Sequence, residues 1–493
     1  MSRTALPRFR REPQLRSAGI SAPPPRQLQW DKVIVNFARR AHDHNWELDP
    51  ITRSLLDTDF YKLLMLQFIW RHFPHTHATF TLINRTGSVR LAEEVNVQHL
   101  REQLQAARKL RFTKSELIWL AGNTFYGRRG IFDSAFLEWL EKGFQLSDYE
   151  LYVKDGQIHL NFHGLWCETT MWEIYALSQI AELKTRSALK LLSELELDIL
   201  YARAKSRLWE KMERLRGVPA LNVSDFGTRR RHSFLWHEYV VKAMRDTLGA
   251  NFTGTSNAFL AYKHDLEAIG TNGHELAMAM AALAGNDDDL RAAQYRLLEL
   301  WQQSYQGELL ILLPDTFGTT QFLRNAPDWV ASWTGLRVDS KNAYVAGDEY
   351  IAWLERHGRD PRQKRLISSD ALDVEQILGL HAYFGGAMQN GATPEEFRSA
   401  ADFLDPAKWK PQRRIRFSAG WGTLLTNDFR DCNPRGDNHF NPLSLVCKLR
   451  DADGRPAVKL SDNPSKALGE PVEAERYRRI FGVAGVAETP VIV

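Results

Sequence analysis

Beyond Gly217 the chain settles into short apolar runs at residues 221–223, 251–253, 266–269, 309–313, 336–338, 366–368 and 415–417, mostly with helical segments between them. Strands alternating with helices imply a parallel sheet. Seven such units suit a barrel better than an open sheet, and in barrels of this kind the chemistry sits on the loops that follow the strands. Those loops are therefore where functional residues are sought.

The part of the chain before this repeat has a different rhythm. Residues 1–41, rich in arginine and holding Pro23-Pro24-Pro25, read as a flexible extension. A helix is expected from Asp57, with Asp57 or Thr58 as cap and Leu63, Leu64, Leu66, Phe68 and Ile69 as apolar positions, ending before Pro74. Residues 78–83 alternate like a strand, and helices are expected at 91–110, 115–120 and 134–142. Residues 149–153 and 157–162 flank Asp155-Gly156, whose tolerance of positive φ predicts a β-hairpin. A long helical tract follows over 164–216, with Trp172, Leu177 and Ile180 read as core.

Composition narrows the functional classes. With 493 residues, 44% of them hydrophobic, the chain is long enough for a large core. The net charge is only +4, and much of the excess lies in the first forty residues, which argues against a broad nucleic-acid surface and allows local arginine clusters. Cys167, Cys432 and Cys447 suggest neither a disulfide framework nor a zinc site. No apolar stretch reaches the roughly 18 residues of a membrane span, and the amino terminus lacks the apolar centre of a secretory signal. A cytoplasmic protein with no membrane partner is expected.

The strand ends carry the chemistry. The first is followed by Ser224-Asp225-Phe226-Gly227-Thr228-Arg229-Arg230-Arg231; three consecutive arginines cannot share one direction, so one or two are expected to face inward, where the planar fork matches carboxylate or phosphate. The second ends in Gly254-Thr255-Ser256-Asn257 and the third in Ile269-Gly270-Thr271-Asn272-Gly273-His274-Glu275. His274 opens an apolar helix, where unpaired N–H groups favour anions, so it suits carrying or relaying phosphate; alone, such a residue serves equally as a cap. Asp315 to Thr320 follow the fourth strand, Asp339 and Ser340 the fifth after Arg337, Ser369 and Asp370 the sixth, and Gly422 and Thr423 the seventh. Singly these clusters are turn chemistry. Together they describe one pocket, with arginines for anions, aspartates for sugar hydroxyls or magnesium, and a glycine turn for phosphate. Met278 rules out a zincin motif at His274, and the Asp225-Phe226-Gly227 triplet lacks the other kinase elements.

These motifs resemble the nicotinate phosphoribosyltransferase family of type II phosphoribosyltransferases. The matches begin with Leu56-Asp57-Thr58-Asp59-Phe60-Tyr61-Lys62, run through the clusters at 225–231, 254–257, 269–275 and 337–340, and finish with residues 422–427 and Val458-Lys459-Leu460-Ser461-Asp462. The resemblance implies an irregular α/β barrel with a smaller α+β domain built from both ends of the chain. Expected boundaries are an extension at 1–50, an amino-terminal domain at 51–165, a catalytic barrel at 166–435, and a carboxyl-terminal segment at 436–493 packing on the amino-terminal domain. It further implies a homodimer and a reaction joining nicotinate to phosphoribosyl pyrophosphate, with ATP hydrolysis coupled through a phosphohistidine and magnesium present, in NAD salvage. His274 matches the phosphorylated histidine and Tyr61 the tyrosine that stacks on the pyridine ring. Thr271 and Arg337 match nicotinate contacts. Arg229, Asp339, Asp370, Gly422 and Thr423 fall where the phosphoribosyl substrate is held, with Arg230 beside them.

Ser256 bears on the substrate: nicotinamide-using relatives carry an aspartate there, which repels a carboxylate, whereas serine admits the acid. Alternatives are an enzyme for nicotinamide or another pyridine, and a non-catalytic pyridine-binding relative. The second is motivated by Lys341 and Asn342, which stand where the family has a glycine and a second aspartate. Residues 388–413 read as an insertion.

Overall fold

A computed structural model describes residues 50–369, 372–385 and 414–487. The expected extension through residue 49, Asp370 and the expected insertion at 388–413 lie outside the described residues.

The first helix, Phe60–His72, is buried from Phe60 through Ile69. It is apolar on nearly all sides, as a helix enclosed by other elements must be. Asp57 does not cap it. Its carboxylate takes both forks of Arg231 at 2.7 Å, with both side chains fully buried, and the cap position falls to Asp59. The expected helix at 91–110 is two, Leu91–Glu94 and Val97–Lys109, because Asn96 caps the second through His99 N. The long tract is likewise divided, into Trp166–Thr169, Trp172–Leu189 and Glu194–Leu215, the last opened by a capping box between Ser193 and Glu196.

Strands β1 (His77–Asn84), β2 (Asp148–Lys154) and β3 (Gln157–Leu165) are antiparallel, with β2 and β3 joined by the expected turn, Asp155 and Gly156 both at positive φ. Strands β4 (Val223–Asp225), β5 (Phe252–Thr255), β6 (Ile311–Leu312), β7 (Gly335–Val338), β8 (Arg365–Ser368) and β9 (Arg416–Trp421) form a second sheet, parallel throughout, in the order β5-β4-β9-β8-β7-β6. Strands β10 (Leu445–Ala452) and β11 (Arg455–Pro456) return to the first sheet, where β10 pairs with β1. Both ends of the described chain thus share one antiparallel sheet.

The expected third strand, 266–269, is reduced to a parallel bridge between Ala268 and Thr255. The two backbones come close at Gly254 (φ +138°), where a Cβ would lie 2.2 Å from the Glu267 carbonyl oxygen, and Thr255 N donates to that oxygen at 3.1 Å while Ile269 N donates to the Thr255 carbonyl at 2.9 Å. Beyond that bridge, the interval to β6 is spanned by a side chain: Asn272 Nδ2 donates to the Ile311 carbonyl at 3.0 Å. The mixed α/β class and parallel sheet follow the expectation; the regular ladder fails at its third member, which is what makes the arrangement irregular.

Candidate active site

The carboxyl ends of the parallel strands all point the same way, and the loops leaving them meet. After β4, Thr426 Oγ1 donates to the Gly227 carbonyl at 2.8 Å and Asn427 Nδ2 to the Arg230 carbonyl at 2.9 Å. The arginine loop is therefore stitched to the turn at Gly422 and Thr423 that follows β9. The three arginines divide as steric reasoning requires. Arg231 is consumed by Asp57, whereas Arg229 donates to Tyr61 Oη at 2.7 Å and to Asp59 Oδ2 at 3.1 Å. Ser256, after β5, is fully buried and donates its hydroxyl to the other Asp59 oxygen at 2.8 Å.

The loop after the Ala268 bridge passes directly under Tyr61. Gly270 has φ +151°, and a Cβ there would meet Tyr61 N at 2.8 Å; one at Gly273 would meet the ring at Cε2, 3.2 Å away. Thr271, between them, is buried. Arg337 Nη1 donates to the Asn272 carbonyl at 3.0 Å, which draws β7 to the same loop.

His274 opens the helix His274–Ala282 and is 8% exposed. Its Nε2 lies 2.7 Å from Asp315 Oδ1, 3.2 Å from Lys459 Nζ and 3.6 Å from Asp339 Oδ2. The second Asp315 oxygen accepts from Ser340 Oγ at 2.7 Å and from Lys459 at 3.4 Å. Burial pushes the imidazole down to about 4, with Lys459 adding to the push and Asp315 resisting it. Burial alone would raise Asp315, but His274 and Lys459 beside it hold its carboxyl well below the usual carboxylate range. Asp339, against the same burial, is held at about 2, with His274, Arg337 and Lys459 favouring its ionised form. At neutral pH the cluster is thus a neutral imidazole between two carboxylates and one ammonium.

Asp59 and Lys459 join the site with no role expected of them from the strand ends, whereas Asp315 is expected there for hydroxyl or metal-bound water contacts and Ser340 as part of a strand-end cluster. Asp315 was legible as a strand-end aspartate. Lys459 stands in the motif at 458–462, and its place depends on the carboxyl-terminal segment folding back against the His274 loop. Lys341 and Asn342 turn away from the cluster. Lys341 Nζ is 2.7 Å from Thr320 Oγ1 and 2.5 Å from Glu349 Oε2, and Asn342 caps the helix Ala343–Arg356.

Arginine, lysine, aspartate and one neutral histidine gathered at the carboxyl ends of a parallel sheet make this an α/β enzyme site for anionic substrates. Comparison with known proteins gives the particular kind. The amino-terminal domain model of the nicotinate phosphoribosyltransferase family matches residues 56–181, and the family's main model matches residues 221–393. Similar solved structures include the nicotinate phosphoribosyltransferase of Vibrio cholerae, 28% identical over 88% of this chain and 94% of that one, TM-score 0.74. That of Porphyromonas gingivalis is 26% identical over 88% and 100%, TM-score 0.72. A putative one from Saccharomyces cerevisiae is 25% identical over 88% and 99%, TM-score 0.70.

The chain belongs to the nicotinate phosphoribosyltransferase family. Membership makes it a phosphoribosyltransferase of NAD biosynthesis and implies nicotinate and phosphoribosyl pyrophosphate as substrates. Among the described residues no helix is long and apolar enough to cross a membrane.

Proposed function

We propose that this chain forms nicotinate mononucleotide and pyrophosphate with coupled ATP hydrolysis, His274 carrying the phosphate, so that the enzyme is formally a ligase. The observation that supports this reading is the contact of His274 Nε2 with Asp315 at 2.7 Å. A neutral imidazole whose Nε2–H donates to a carboxylate keeps its lone pair on Nδ1, which is the form that attacks phosphorus. In the first step Nδ1 bonds to the γ-phosphorus of ATP while the bond to the ADP oxygen breaks; water later cleaves the P–N bond and releases phosphate.

In the synthetic step the nicotinate ring nitrogen bonds to the anomeric carbon as the pyrophosphate oxygen leaves. The passage is oxocarbenium-like, so the protein's task is orientation of the ring and binding of the departing anion. In this reading Tyr61 and Thr271 orient the ring, Arg337 meets the carboxylate, and Arg229, Arg230, Asp339, Asp370, Gly422 and Thr423 hold the phosphoribosyl group.

Magnesium fits the donor set. The facing atoms of His274, Asp315 and Asp339 lie within 4.8 Å of one another, and with His274 Nε2–H donated to Asp315 it is the two carboxylates that suit a hard cation. Lys459 already supplies the charge between His274 and Asp315, which leaves Asp339, the most open of the three, as the principal ligand. The ion would supply charge neutralisation to pyrophosphate. The working unit is proposed to be a cytoplasmic homodimer. The test is product formation from nicotinate and phosphoribosyl pyrophosphate with and without ATP, beside His274→Ala: the variant is expected to take no label from γ-labelled ATP while retaining ATP-independent synthesis. Label persisting on the variant rejects His274 as the carrier.

A further inference from the structure

Behind Tyr61 and Arg229 lies a group of charges centred on Lys62, which the proposed chemistry does not use. Lys62 is fully buried, 2.7 Å from Glu173 Oε2, 2.5 Å from Glu275 Oε2 and 3.3 Å from Thr170 Oγ1. Glu173 also meets Lys448 Nζ at 2.9 Å and Arg229 Nη1 at 3.7 Å, while the other Glu275 oxygen accepts from Trp166 Nε1 at 2.6 Å. With Asp59, the charges balance: Lys62, Lys448 and Arg229 against Asp59, Glu173 and Glu275. Such a network, buried at Lys62, Glu173 and Glu275 and opening to solvent only at Arg229 and Lys448, is costly to assemble and rigid once complete.

Its position is informative. Tyr61 and Lys62 are neighbours in sequence at the start of one helix; His274 and Glu275 are neighbours at the start of another. The Lys62–Glu275 pair joins the two starts. On one side of the joint the Tyr61 ring lies over Gly273 with Arg229 on its hydroxyl, and on the other His274 faces Asp315. Burial opposes the ammonium, but Glu173 and Glu275 hold the Lys62 charge firmly in place.

We propose that Lys62, clamped between Glu173 and Glu275, is a positioning residue that fixes the Tyr61–Arg229 pocket relative to the His274 loop and so sets the affinity for the pyridine carboxylate. Neither Lys62 nor Glu275 needs to touch substrate. The role is to keep two helix starts in register. Breaking the joint from either side loosens the same contact, so both substitutions weaken binding even though one removes a positive and the other a negative charge.

The experiment uses the full-length protein without ATP, with nicotinate as the probe. Kd is measured by calorimetry, and KM and kcat with phosphoribosyl pyrophosphate saturating, for Lys62→Met, Glu275→Gln, the double variant and Lys62→Arg. Both single variants are expected to raise Kd and KM about tenfold while kcat falls far less. The double variant should be no worse than the poorer single, since one joint is broken only once, and Lys62→Arg should recover part of the loss. Glu275→Gln keeps an acceptor for Trp166 and carries the test if Lys62→Met does not fold. Opposite shifts in Kd for the two single variants would mean a through-space charge effect and overturn the proposal. So would reduced thermal stability with unaltered Kd. Since ATP is absent throughout, His274 phosphorylation can fail its own test without affecting this one.

Discussion

His274 Nε2 and Asp315 Oδ1 stand 2.7 Å apart, and the remaining Asp315 oxygen is held by Ser340 and Lys459. A carboxylate anchored on both oxygens cannot rotate away, so it fixes both the orientation and the tautomer of the imidazole. An asparagine at 315 presents either an amide N–H or a weaker acceptor to Nε2, and Lys459 loses its counter-charge. Asp315→Asn is therefore expected to slow phosphate transfer from ATP to His274 by about 10–100-fold, read by rapid-quench labelling. Transfer at the wild-type rate would remove Asp315 from this role.

Among the contributions to the pH dependence of stability, those of His274 and Asp462 oppose each other. His274 titrates near 4 in the folded chain instead of its ordinary 6.5. Between those values the unfolded chain binds a proton that the native one does not, so this contribution to stability is lost as pH falls from about 6.5 to 4. Asp462, 1% exposed, is pushed up to about 6 by burial and by nearby Asp315. Its ionised form is disfavoured in the fold above pH 6, and that penalty fades as pH falls toward the ordinary 3.8. The displacement corresponds to a penalty of order 3 kcal/mol at neutral pH. Asp462→Asn, which retains an acceptor for Thr319 N, is expected to raise the melting temperature at pH 7 and to lose that advantage by pH 4. An advantage constant across that range would contradict the assignment to Asp462.

Much of this site was legible in the sequence because a parallel α/β sheet delivers its loops to one end whatever their composition. His274, Arg337 and Asp339 stand at strand ends, and one or two of the arginines at 229–231 are expected inward on the same ground, whereas the choice of Arg229 rests on the family resemblance. What could not be read were roles settled by distant partners. Asp57 has the look of a helix cap but is taken by Arg231, and Ser256, read as a neutral residue that admits an acid, donates its hydroxyl to Asp59. Asn342 stood for a missing carboxylate, yet its side chain accepts from Tyr344 N and Val345 N as a helix cap. The third strand is reduced to the bridge between Ala268 and Thr255, a shortening that apolar patterning does not encode.

Gly270 permits the contact between the Tyr61 backbone and the His274 loop. At φ +151° an L-residue is strained, and a methyl group would lie 2.8 Å from Tyr61 N and 3.0 Å from its Cβ. The strain alone is worth roughly 1–3 kcal/mol, and relief requires the loop to withdraw from Tyr61. Gly270→Ala is expected to weaken nicotinate binding more than it lowers the melting temperature, measured by calorimetric titration beside thermal unfolding. Full affinity in a folded variant would show that this close approach does not shape the pocket.

Ser256 offers the sharpest test of acid selection. Its hydroxyl donates to Asp59 at 2.8 Å, and the other Asp59 oxygen receives Arg229 at 3.1 Å, so one arginine compensates one carboxylate here. Ser256→Asp replaces the donor with a second carboxylate at hydrogen-bond distance from the first. Two such groups without water cannot both ionise easily, so one takes a raised pKa and the pair shares a proton. The added negative charge beside the Tyr61 pocket then repels an incoming carboxylate. The variant is expected to bind nicotinate at least about tenfold more weakly at pH 8, to recover part of that loss as the pair protonates toward pH 5, and to lose less affinity for nicotinamide. Competition titrations of the acid and the amide over that pH range read all three. Equal losses for acid and amide, independent of pH, would mean that the substitution acts by steric disruption and that charge at position 256 does not select the substrate.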